Sequence, residues 1–182
     1  MNVAIIDEGI ILAISEHWES YRTAENSRIN RDLRSGLDAV DILAPLKATL
    51  RGIPDELTIY QQGTTPAVAV ESIDFSQPLE TSRETFFFFV ETLIHVALVD
   101  NAQIEISADG ETVKLSPQQS LKIALDGYTS MLVRMFFTEK IEGIAAQRLV
   151  SRTLSPTFSE DRGEKRERIA QLQYRLQVEI GS

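Results

Sequence analysis

An α+β fold is predicted for this chain: one mixed or antiparallel sheet packed against an N-terminal helix and a long central helix, with an extra β-hairpin. Three observations predict it. Residues 6–21 carry apolar side chains at helical spacing, with Ile6, Ile10, Ile14, His17 and Tyr21 on one stripe and Ala13 and Trp18 beside it. Residues 116–137 open on Ser116-Pro117 with Gln119 three places after the serine, which is a capping box with proline at the first helical position. Residues 168–180, RIAQLQYRLQVEI, alternate at the period of a strand with one buried face.

The elements follow in order. Asp7 and Glu8 lie near the start of the first helix, where acids suit its dipole. Residues 22–56 read as an insertion or extended loop. The stretch begins with the polar RTAENSRINRDLRSG and continues with a short helical pattern interrupted at Pro45 and ended by Gly52 and Pro54. From residue 57 the pattern becomes β. LTIYQ is a short strand, GTTP a turn, PAVAVESIDF (66–75) a second strand and SQPLETS a connection. Residues 83–100 follow as a long strand apolar on both faces, hence central. A helical stripe also fits this stretch, but the four phenylalanines and the β-branched residues favour a strand. QIEISADGETVKL (103–115) is a hairpin turning at Asp109-Gly110.

The second helix should bury Leu121, Ala124, Leu125, Tyr128, Leu132, Met135 and Phe136, with Gly127 as a candidate kink. A strand over 143–158, a charged connection over 159–168 and the closing strand complete the chain.

Size and composition narrow the function. At 182 residues one domain spanning 1–182 is expected. There are no cysteines, so disulfides, zinc-thiolate sites and thiol catalysis are excluded. No apolar run reaches the ~18–20 residues of a membrane span, and MNVAIIDEG lacks the basic start of a signal peptide, so a cytosolic protein is expected. The net charge of -9 repels nucleic-acid phosphate, which disfavours general DNA binding. The chain contains no glycine-rich phosphate loop, dinucleotide fingerprint, nucleophile elbow or calcium-loop spacing. His17 reads as a partly buried, satisfied histidine, and His95 with Glu91 as a polar pair on one strand face. No cofactor, metal or catalytic residue is expected. Arg22, Arg28, Arg31 and Arg34 form a cluster in an otherwise acidic chain and read as a solvated or partner-contacting face.

The layout resembles that of phage tail terminator proteins, also called tail completion proteins. The resemblance rests on an N-terminal helix and variable loop, a strand beginning near Pro66, the long strand at 84–99 and a helix at 117–137 crossing the sheet. Two late strands follow, RLVSRTLSPTF and IAQLQYRLQVEI, separated by the charged SEDRGEKRER. It covers most of residues 1–20 and 57–180; residues 22–56 and the 103–115 hairpin look like additions. Members of this family assemble as a ring, usually sixfold, on the head-proximal end of a finished tail tube. The ring stops polymerisation and presents a surface to the neck.

The resemblance therefore implies a non-catalytic virion protein at the tail–neck junction, present in the host cytoplasm during assembly. Its partners would be its own copies, the tail tube protein and a neck or connector protein. DNA would pass through the ring without specific binding. Arg22, Arg28, Arg31 and Arg34 would face a neighbouring protein. Gln171, Gln173, Arg175, Gln177 and Glu179, the polar face of a strand ~40 Å long at ~3.3 Å per residue, would form an intersubunit surface or channel wall. A neck or connector component, or a transient tail-assembly factor, is the alternative. A small dimeric regulatory domain and an enzyme built on Glu91 and His95 or on an acidic metal cluster rank below it.

Overall fold

The structure is a computed structural model that describes residues 3–52, 65–80, 85–99, 103–154 and 167–181. Its elements are α1 (Val3–Leu33), β1 (Ala48–Arg51), β2 (Ala67–Glu80), β3 (Thr85–Val99), β4 (Glu105–Ala108), β5 (Glu111–Lys114), α2 (Pro117–Thr138), β6 (Ile144–Leu154) and β7 (Glu167–Gly181). The five-stranded sheet runs β1-β2-β3-β7-β6, with β1 parallel to β2 and the other pairs antiparallel. The fold is α+β, with both helices on one face of a mixed sheet and β4–β5 as a separate hairpin.

Local chemistry explains most of these elements. Ser116 Oγ accepts from the Gln119 amide at 3.3 Å and Gln119 Oε1 accepts from the Ser116 amide at 2.9 Å, so both first-turn donors are satisfied and α2 starts there. The hairpin turns at Asp109 (φ 52°) and Gly110 (φ 83°), the left-handed pair that a two-residue loop requires. Along β7, Ala170, Leu172, Tyr174, Leu176 and Val178 are buried beneath the helices, as the alternation predicts. Opposite them on β3, Val90, Thr92, Ile94, Val96 and Leu98 face the same way, and β3 lies centrally between β2 and β7.

Two expectations need correction. First, residues 22–33 are not loop but the continuation of α1. Their polarity hides a helix whose polar side chains bond the chain's own backbone. Asn26 Oδ1 accepts from the Leu43 amide at 2.7 Å, its Nδ2 donates to the Leu43 carbonyl at 3.1 Å, and Arg22 Nη1 donates to the same carbonyl at 2.9 Å. Second, the helical pattern around Pro45 is not a helix. Residues 37–47 form neither helix nor strand and lead into β1. Proline lacks the amide a helix interior needs. Side chains bond the freed backbone instead: Asn30 pairs with both polar groups of Val40, and Tyr128 Oη donates to the Ala44 carbonyl at 3.0 Å. Ile42 and Leu43 are thereby buried against the helices.

β2 also runs past Phe75 to Glu80, absorbing two register shifts. The expected LTIYQ strand and residues 155–166 lie outside the described residues. α2 is continuous through Gly127. That position is a close approach, since a Cβ there would lie 2.8 Å from Ile29 Cδ1 and 3.0 Å from Leu43 Cδ2.

One acid sits inside the helix–sheet layer. Asp7 is not in the first turn; it is buried on α1 and accepts from Ser72 Oγ at 2.6 Å, which in turn pairs with Thr92 Oγ1 at 2.9 Å. Burial holds its carboxyl above the ordinary 3.8, against the opposing hydrogen bond from Ser72 and the field of Arg51. The folded chain thus holds this proton more tightly than the unfolded chain. That contribution is complete below pH 3.8 and is lost as pH rises through the raised value. Asp7→Asn should therefore raise stability at pH 7, with the gain vanishing toward pH 3. Urea midpoints measured across that range check the sign; a less stable variant at pH 7 contradicts it.

Candidate assembly surfaces

Gln171, Gln173, Arg175 and Gln177 alternate with the buried residues of β7, so they share the sheet face away from the helices. Glu179 takes its place in β7 opposite Phe87, and its side chain lies outside the described residues. A polar chain crosses three strands here. Arg175 donates through Nε and Nη2 to Glu91 Oε1 of β3, both at 2.7 Å. Gln173 Nε2 donates to Glu91 Oε2 at 3.0 Å, and Gln173 Oε1 accepts from Ser151 Oγ of β6 at 3.0 Å. Glutamine suits this place because it offers a donor to one neighbour and an acceptor to the other. The network pins the register of β3, β7 and β6 on a face that remains half-exposed.

Glu91 and His95 share this face but are not bonded to each other. The Glu91 carboxylate is taken by Arg175 and Gln173. His95 is 8% exposed, its Nε2 has no hydrogen-bond partner among the described residues, and burial lowers its pKa. His17 Nε2 lies 3.7 Å from Glu139 Oε2, and Tyr21 Oη donates to Glu139 Oε1 at 2.7 Å. Both residues therefore tie α1 to the end of α2.

The four clustered arginines do not form one surface. Arg22 is buried between Glu19, Asp41 and the Leu43 carbonyl. Arg34 is buried too, donating to the carbonyls of Asp38 at 3.0 Å and Glu105 at 2.9 Å, so it anchors the hairpin. Arg28 binds Glu25 and Asp32 along α1. Arg31 is exposed, 3.5 Å from Asp32. Reversing the whole cluster would first remove internal struts, and of the four only Arg31 is bound, among the described residues, to nothing but an exposed neighbour. Burial decides this: a guanidinium that satisfies buried backbone carbonyls is not free to meet another protein.

The sheet ends in two edges, β1 and β6. β6 is the longer, at 11 residues, and carries two bulges, with Ala145 and Val150 as the extra residues. Bulges re-aim side chains and blunt indiscriminate edge pairing. Arg148 stands directly opposite Arg175. Together with Leu149 and Val150 they line a shallow cleft of about 220 Å³. Like charges directly opposed across strands are unfavourable, yet here they sit beside exposed apolar side chains. This edge was invisible in the sequence because it exists only once β6 pairs with β7. The one available signal was the absence of acids from residues 144–154 in an acidic chain.

No protein-family model matches this chain, and no curated protein matches it.

Proposed function

We propose that the chain is a non-catalytic structural subunit that closes with its copies into a ring on the head-proximal end of a phage tail tube, where it halts tube growth and receives the neck. The observation that carries this reading is the placement of the two late strands. β6 and β7 pair along their length and lie beside α2 in the same sheet as the long central strand, the arrangement expected from the tail terminator layout. Two features support it further. Among the described residues, each end of the strand order is an edge with no further strand, which suits head-to-tail contacts that close on themselves. On the outer face, the β7 stripe is polar and hydrogen-bonded to β3 and β6, which suits a wet contact. On this reading the partners are the tail tube protein and a neck or connector protein. The net charge of -9 keeps the passing genome from adhering.

Negative-stain imaging of the purified protein with and without tail tubes tests the proposal. The expected result is an annular density at one end of each tube, and a sixfold ring of about 120 kDa from the 20.4 kDa chain. Bare tube ends in the presence of excess protein would overturn it.

A further inference from the structure

We infer that copies of this chain join head to tail through the β6 edge of one copy and the outer stripe of α1 of the next. This inference rests on the ring reading and names the interface within it.

Two surfaces with no partner among the described residues match each other in charge and in apolar content. The first is the β6 edge. Residues 144–154 hold Arg148 and Arg152 and no acid. Arg152 is bound to Asp126 at 2.5 Å, but Arg148 has no ionic partner among the described residues. Beside it, Leu149 and Val150 are 37% and 48% exposed. The second is the outward side of α1. Ile5, Leu12 and Glu16 fall at spacings of seven and four, within a narrow arc of the helix. Ile5 and Leu12 are 66% and 59% exposed, large values for side chains on a regular helix. Residues 3–21 contain Asp7, Glu8, Glu16 and Glu19 and neither lysine nor arginine. Glu8 is bound to Arg51 and Glu19 to Arg22; Glu16, which is exposed, has no partner among the described residues.

One surface is therefore apolar and cationic, the other apolar and anionic. α1 packs over β1 and β2, at the opposite end of the strand order from β6. Complementary patches at opposite ends of a subunit make a heterologous contact, the kind that generates rings or filaments, whereas a two-fold dimer needs one self-complementary patch. Arg148 would meet Glu16, relieving the unfavourable pairing of Arg148 with Arg175. Leu149 and Val150 would cover Leu12 and Ile5.

The absence of cysteine permits a clean test. The variant carrying both Ser20→Cys and Ala146→Cys, exposed positions flanking Glu16 and Arg148, treated with a short bis-maleimide in the presence of tail tubes, should give a ladder of masses in steps of 20.4 kDa. Each single variant should stop at a dimer. Arg148→Glu should abolish assembly, and adding Glu16→Arg should restore it; thermal melts of all variants confirm that they fold. A double-cysteine variant that melts as the parent does but never exceeds a dimer overturns the interface. So does an Arg148→Glu variant that folds and assembles normally. If annular particles still form in either case, the ring reading survives and only this interface falls. A ladder running on into open filaments would uphold the interface and overturn the ring.

Discussion

Replacing Arg28 and Arg134 together by alanine should destabilise the fold by about 3–5 kcal/mol, since it leaves a buried carboxylate without a counter-charge. The carboxylate is that of Glu25, whose side chain is fully buried on α1. Arg28 reaches it from the next turn, with Nε at 3.0 Å and Nη2 at 2.5 Å from Oε1. Arg134 of α2 contacts its other oxygen. The two arginine side chains are 41% and 49% exposed, so they close over the acid from the solvent side and join the helices. For a chain of this size the loss corresponds to a fall in Tm of roughly 6–20 °C. Either single alanine variant should lose less, because one guanidinium still covers the carboxylate. Adding Glu25→Met to the double variant should recover most of the loss, since a buried charge is replaced by an apolar group of similar size. A double variant within about 1 kcal/mol of the parent, by urea denaturation, would show that water replaces the arginines at no cost.

Trp18→Ala should cost a comparable 3–5 kcal/mol, here through a cavity. Trp18 is 1% exposed and stacks on Tyr128, with ring centroids 5.5 Å apart and planes inclined by 23°. The stack joins α1 to α2, and Tyr128 in turn holds the 37–47 segment through Ala44. One truncation therefore loosens three parts of the chain. Trp18→Phe should lose much less. It keeps a ring on Tyr128 and removes an indole N–H that is buried without a hydrogen-bond partner among the described residues. Equal losses for the alanine and phenylalanine variants would mean that the indole as a whole, rather than ring stacking, fills the site.

The strands, the hairpin turn and the start of α2 were legible because their causes are local. Alternation along 168–180, Asp109-Gly110 and the Ser116–Gln119 box each act within a few residues, and each appears as expected. The glutamine face could be located the same way, since alternation alone places Gln171 to Gln177 opposite the buried residues. The second half of α1 was not legible. Arg22, Glu25, Asn26 and Arg34 carry the polarity of a loop, and their burial depends on acceptors or counter-charges far along the chain, such as the carbonyl of Glu105, 71 residues from Arg34. Nor did the sequence reveal that Gln173 links Glu91 to Ser151, because that requires the β3-β7-β6 order and its register.

Periodicity and capping mark the helices and strands in the residue order alone, and alternation marks the apolar side of each strand. Which polar side chains become internal struts, and which stay available to a partner, is settled by the packed fold. A buried polar group is stabilised by its particular hydrogen-bond partners, and folding rather than sequence proximity brings those partners together.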